Sequence, residues 1–442
     1  MRLRLAPAVP AALLAGIAHA ASFAWSGAWW LQVAALAVLV ALLLHRPGGN
    51  AADTGVARTA ASRVATPTVR RAAALGFAFG LGWFVVGVSW LYVSMHRYGG
   101  MPAPLAALAV LLFGAYLALF PAAVTAATRR AAAAAMRRGG ALTPLALAGV
   151  GLLFAGTWAL AEIARGYLFT GFPWLAIGYA HVDGPLAALA PLVGVYGVCA
   201  AAALLAFGAG AAAAWPPRAA AAATAIVVAL APLAAAWTAA GIAWSQPTGR
   251  AIAIRLLQGN VPQELKFDPA RSLAAMQAYV AEATRADADL TVLPETAWTI
   301  PWPATPAPLR DALLAHLRDS GGVVAIGMPM VAPNAPGAAT PSRLTNSVAV
   351  IDRNGEVVSR YDKRHLVPFG EFVPRGFGWF VAMMNIPLGE FARGAHDQPA
   401  LLVGGQRVAF DVCYEDLFGE ELASQVRGGA TLLANVSNIA WF

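Results

Sequence analysis

Apolar positions in the first half of the chain come in long unbroken runs. Before residue 245 there are seven of them, bounded by charge, Pro or Gly: Ala8–Phe23, Trp29–Leu44, Ala72–Val93, Pro104–Ala127, Leu142–Ile163, Gly184–Ala214 and Ala219–Trp244. A helix needs about 20 mainly apolar residues to cross the hydrocarbon core of a bilayer, so these runs predict a polytopic α-helical membrane bundle over residues 1–245, its first two segments short. After Arg250 the period changes. Short apolar runs of strand length alternate with helical patterns, which predicts an α/β domain over residues 246–442. The expected strands are Ala251–Gln258, Leu290–Leu293, Val323–Ile326, Ser347–Ile351, Val357–Tyr361, Val408–Val412 and Thr431–Ser437. Between the first two, Leu273, Met276, Val280 and Ala281 recur near helical spacing and predict an amphipathic helix over Pro269–Ala288.

Composition agrees with lipid as a solvent: 59% of residues are hydrophobic and 12% charged. The net charge of +8 is almost wholly arginine placed between apolar runs, which speaks for topology and against nucleic-acid binding. With Arg2 and Arg4 in the cytoplasm, the even-numbered connections should be basic. They carry Arg46, Arg58, Arg63, Arg70 and Arg71, then Arg129, Arg130, Arg137 and Arg138, then Arg218; Arg97 and Arg165 are the exceptions. Seven crossings from that start put everything after about residue 245 outside the cytoplasm. A competing reading makes the first segment a signal peptide ending in the small residues Ala18–Ala21. Cleavage there would leave six crossings and invert the arginine pattern. The stretch from Arg46 to Arg71 lacks periodicity and reads as a linker. Gly76 and Gly80 have the spacing of a helix-packing notch, and Glu162 and Arg165, three apart, are set to pair; headgroup contact is the alternative for that pair.

Three residues able to act as acid, base or nucleophile fall where strands end, the usual position of function on an α/β scaffold. They are Glu295, Lys363 and Cys413. A thiol attacks an ester as thiolate, so Cys413 needs a base, and a partly desolvated Glu295 carboxylate suits that task. Attack creates an oxyanion, for which Lys363 and the backbone N–H of Tyr414 are donors. Glu371 and Glu415 are expected to orient and balance the lysine. Taken singly, a strand-end cysteine is more often a small buried hydrophobe, Glu295 a helix-start charge and Lys363 an edge-strand residue. None of these readings explains the three together. The other cysteine, Cys199, lies in an apolar run and reads as packing. The seven histidines lack metal-ligand spacing, so neither a metal nor a cofactor is expected.

The motifs Pro294-Glu295-Thr296, Tyr361-Asp-Lys-Arg-His-Leu-Val-Pro-Phe-Gly-Glu371 and Asp411-Val-Cys-Tyr-Glu-Asp416, in that order, resemble the three signatures of the nitrilase superfamily. Lys363–Pro374, Leu257–Gln263, the loops Thr170-Gly-Phe-Pro-Trp-Leu175 and Tyr98-Gly-Gly-Met-Pro102, and the apolar first half look like its apolipoprotein N-acyltransferase branch. That resemblance implies an αββα sandwich carrying a Glu295-Lys363-Cys413 triad. It implies transfer of the sn-1 acyl chain of a phospholipid, commonly phosphatidylethanolamine, through a Cys413 thioester. The acceptor is the α-amino group of the S-diacylglyceryl cysteine at an apolipoprotein N-terminus. It implies a bacterial inner-membrane protein with a periplasmic catalytic domain. The apolar stretch Phe372–Phe391, with Phe377, Trp379, Phe380, Met383 and Met384, reads as a lid dipping toward the bilayer. Phe267, where the family commonly has Trp, reads as part of a lipid-facing wall. Ile439 replaces the family's aspartate in Ser437-Asn-Ile-Ala-Trp-Phe442, and the family continues past this point through further strands and a final membrane helix, so the domain reads as C-terminally truncated. A membrane-tethered amidase or nitrilase-type hydrolase, and an inactive truncated lipid-binding homologue, are the alternatives.

Overall fold

In the computed structural model, residues 8–44, 68–139, 142–214, 219–261, 268–333, 343–381 and 390–438 are described. The chain divides into two units, Met1–Leu91 with Pro104–Trp244, and Tyr92–Ala103 with Ser245–Phe442.

The described residues up to Ala240 are mainly helical: α1 (Ala8–Ala21), α2 (Trp29–Leu44), α3 (Val69–Gly87), α4 (Trp90–Val93), α5 (Ala103–Gly139), α6 (Pro144–Tyr167), α7 (Ala190–Ala214) and α8 (Ala219–Ala240). Of these, α3, α5, α6, α7 and α8 are long and apolar enough to cross a membrane, while α1 and α2 are shorter apolar helices. Thr68 caps α3 and Thr143 caps α6, each accepting a backbone N–H at 3.2 Å. Of the expected linker Arg46–Arg71, residues 46–67 lie outside the described residues, while Arg70 and Arg71 belong to the first turn of α3, behind the Thr68 cap. Instead of ending before Arg129, α5 continues to Gly139. Its last third is rich in Ala and Arg, both strong helix formers, and need not lie in lipid to stay helical.

Small residues set the packing. A Cβ on Gly76 would lie 2.2 Å from Thr125 Oγ1, and one on Gly80 would lie 2.6 Å from Pro121 Cγ. The expected notch on α3 therefore receives α5. Glu162 and Arg165 on α6 form a buried ion pair with 3% and 2% side-chain exposure. Trp158 Nε1 donates to Glu162 at 3.1 Å, and Arg165 donates to the carbonyls of Phe172, at 2.7 Å, and Trp174. Every lone pair and N–H so engaged lowers the cost of two charges away from water. Cys199 is fully buried and accepts the Gly178 N–H at 3.2 Å, a packing role.

Among the described residues the second unit holds two sheets. The first runs β1 (Ile254–Leu256), β2 (Leu290–Val292), β3 (Val323–Val331), β4 (Leu344–Ile351) and β5 (Val357–Asp362) in that spatial order. Its first three strands are parallel and the last two pairings antiparallel. The second sheet has β6 (Leu401–Val403) antiparallel to β7 (Gln406–Val412), which pairs in parallel with β8 (Leu432–Val436). Period-2 alternation sorts the layers. On β3, Val324, Ile326 and Met328 join Met276, Tyr279 and Val280 of α9 (Pro269–Ala283) and Leu313, Leu314 and Leu317 of α10 (Ala307–Ser320). From the other face, Ala325 with Leu290, Val348 and Val350 meets Val408, Phe410, Val412 and Val436 of the second sheet. Short helices α11 (Gly378–Val381) and α12 (Gly419–Arg427) complete the unit, α12 lying against β7. The layers run helix, sheet, sheet, helix.

Candidate active site

Glu295 follows β2 in a turn whose next residue, Thr296, has φ +49°. The turn lies on Gly327 of β3, where a Cβ would come within 2.3 Å of Pro294 O and 2.7 Å of Glu295 Cα. Only a residue without a side chain allows that approach. Lys363 directly follows β5, its N–H donating to Asn346 O at 2.7 Å. Cys413 follows β7 with φ +59°, a left-handed conformation that non-glycine residues seldom hold without outside support.

Lys363, 1% exposed, has its Nζ 3.0 Å from Glu371 and 3.6 Å from Glu295. Asn346 Nδ2 donates to both carboxylates at 2.7 Å. Glu371 also accepts the Val367 N–H at 2.8 Å, and Glu295 the Asn438 N–H at 3.2 Å. Glu371 is thus an ion-pair partner of the lysine. Glu415 does something else. Its carboxylate accepts the N–H groups of Arg364 and His365 at 2.8 and 2.9 Å, and of Val412 at 2.8 Å, with the Tyr361 hydroxyl at 3.0 Å. It ties the segment after Lys363 to the turn before Cys413 rather than bonding the lysine.

Burial by itself would lower the Lys363 ammonium, but Glu295, Glu371 and the Cys413 sulfur outweigh it and raise it above the ordinary lysine range. Burial, then Glu295, pushes the Cys413 thiol up to about 12, although Lys363 and the Ser437 hydroxyl pull the other way. At neutral pH the resting site therefore holds an ammonium between two acids and a neutral thiol, which must lose its proton at the moment of attack. Burial raises Glu415 as well, against the pull of its backbone donors. Tyr414 is buried beside His365 and Phe418, and its N–H begins the turn after the thiol.

Trp379 is 63% exposed and Phe377 45% exposed, Phe377 meeting Phe369 edge to face. Nothing of the Phe380 side chain is described, and Phe267, Met383 and Met384 lie outside the described residues. Asn346 was not among the expected site residues. It sits inside a strand with no motif around it, and only its register opposite Lys363 reveals it.

Residues 15–208 match the family model of the apolipoprotein N-acyltransferase N-terminal domain, and residues 252–442 that of carbon-nitrogen hydrolase. The chain is 46% identical, over 99% of its length and 77% of the relative's, to an apolipoprotein N-acyltransferase of Ralstonia nicotianae. It is 42% identical to one of Bordetella bronchiseptica, over 99% of this chain and 80% of the relative. Among solved structures, an amidase of the nitrilase superfamily from Nesterenkonia is similar over 43% of this chain and 66% of that one, at 22% identity and a TM-score of 0.29.

Proposed function

Because the chain belongs to the apolipoprotein N-acyltransferase family, we propose that Cys413 carries the acyl group in transit, with Glu295 as base and Lys363 as oxyanion partner. The family membership makes it a multi-pass membrane N-acyltransferase acting on lipoproteins. The finer mechanism rests chiefly on one observation. Lys363 Nζ lies 3.6 Å from Glu295 and 3.0 Å from Glu371, beside a thiol kept neutral.

Glu295 takes the proton from Cys413 Sγ, and the thiolate attacks the sn-1 ester carbonyl of a phospholipid, commonly phosphatidylethanolamine. The oxyanion is held by Lys363 Nζ and the Tyr414 N–H, donors fixed before charge develops. Collapse forms the thioester and breaks the ester C–O bond. Glu295 returns the proton to the departing lysophospholipid oxygen. In the second half, the α-amino group of an S-diacylglyceryl cysteine attacks the thioester, Glu295 accepts its proton, the C–S bond breaks as the amide forms, and Glu295 passes that proton to Cys413 Sγ, restoring the thiol. Two successive half-reactions through one sulfur give ping-pong kinetics.

Residues 1–245 serve in this reading as the membrane bundle and 246–442 as the catalytic domain, on the periplasmic side of the inner membrane. Trp379, Phe377 and Phe380 belong to a lid that meets the acyl chain, so that it reaches the thiol without crossing water. The test is incubation of the purified chain with labelled phosphatidylethanolamine in mixed micelles, followed by intact mass. A single acyl adduct, absent in Cys413→Ala and discharged by an S-diacylglyceryl-cysteinyl peptide, is expected. An adduct that survives Cys413→Ala overturns the assignment, and discharge by water at the same rate as by the peptide makes the chain a hydrolase.

A further inference from the structure

Cys413, with φ +59°, holds a backbone conformation that needs outside support, and hydrogen bonds hold the chain on both sides of it. Ahead of it, Glu415 accepts the Val412 N–H at 2.8 Å. Behind it, Asn435 Nδ2 donates to Cys413 O at 2.8 Å and also to Asp411 Oδ1. The parallel register of β7 and β8 sets Asp411 directly beside Asn435. Asp411 is 2% exposed on the face of β7 opposite Val408, Phe410 and Val412, so it takes no part in the sandwich core. A buried carboxylate there is costly unless it is used. A carboxamide nitrogen has two hydrogens, and both are committed here.

We infer that Asp411 and Asn435 are positioning residues for the nucleophile: Asp411 fixes the Asn435 carboxamide, which holds the Cys413 carbonyl and so maintains the left-handed backbone that aims Sγ at the acyl carbon. This rests on the reading of Cys413 as nucleophile.

The device is sensitive to protons. Burial pushes Asp411 up to about 6, with Asn435 pulling it back and Asp416 adding to the rise. The charged and titratable neighbours acting on it are Asp416 in the turn Cys413–Leu417 and the Tyr361 hydroxyl on β5; α12 contributes the neutral Gln425, which donates to Phe410 O at 3.2 Å. Above about 6 the carboxylate accepts from Asn435. Below it the acid is a weaker acceptor that needs an acceptor of its own, and the grip loosens.

The test uses the full detergent-solubilised chain with two readouts, acyl transfer from labelled phosphatidylethanolamine and alkylation of Cys413 by iodoacetamide followed on its peptide. Asn435→Leu is expected to lower kcat roughly 10- to 100-fold with KM little changed, since small misplacements of reacting groups cost rates of that order, and to alter the alkylation rate. Asp411→Leu should behave alike. Asp411→Asn, which offers an acceptor oxygen at any pH, should recover part of that loss and remove the acid limb of kcat near pH 6. Unchanged kcat and alkylation in Asn435→Leu, or an acid limb that persists unshifted in Asp411→Asn, overturns the inference. Should Cys413→Ala itself retain transfer, the nucleophile assignment fails instead, and the alkylation series still reports whether Asn435 governs the thiol.

Discussion

Lys363 lies between Glu295 and Glu371, and without its ammonium two carboxylates bridged by one Asn346 amide would face each other in a buried site. Lys363→Met should therefore abolish transfer and also destabilise the fold, by about 3–5 kcal/mol if the acids stay ionised. Thermal unfolding of the variant, compared with that of Cys413→Ala, checks this; equal midpoints would show that the ion cluster carries no fold stability. Which residues would meet was legible for Glu295, Lys363, Glu371 and Cys413, because each sits in a contiguous run of unusual composition at a strand end. Asn346 and the Asp411–Asn435 pair were hidden, since their neighbours lie on other strands and only register brings them together. Glu415, expected beside the lysine, hydrogen-bonds the segment that follows it. Its carboxylate is spent on backbone N–H groups, a demand that no sequence pattern advertises.

At the level of elements, hydrophobic period located the helices and most strands, and missed where polarity and secondary structure part company. The helix α5 runs on past its apolar span because Ala and Arg hold a helix in water. The strand β6 is only Leu401–Val403, too short for alternation to register, and exists because β7 offers it an edge. The Gly76–Gly80 notch was readable as spacing alone. With Pro121 Cγ 2.6 Å from a Cβ at Gly80 and Ala118 Cα at 2.8 Å, Gly80→Val must push α5 away from α3. The expected outcome is a loss of roughly 2 kcal/mol or more, overpacking with little room to relax, read as a lower unfolding midpoint in detergent. A midpoint equal to that of the unmodified chain would contradict so close a contact.

For the molecule as a whole, the change from continuous apolar runs to alternating strands marked two folding regimes, and the chain spans 77% and 80% of the lengths of its Ralstonia and Bordetella relatives. If the exposed Trp379 meets the acyl chain, replacing Trp379 and Phe380 by serine should cut turnover of long-chain phospholipid about tenfold, the worth of 1.4 kcal/mol, while a short-chain, water-soluble ester is turned over as before. Equal losses on both substrates would remove the lid from the mechanism. The Glu162–Arg165 pair bears on how such a chain is made. Both partners belong to α6, one turn apart, so their charges cancel within a single helix before any neighbour has arrived. Neither residue therefore depends on another helix for its counter-charge.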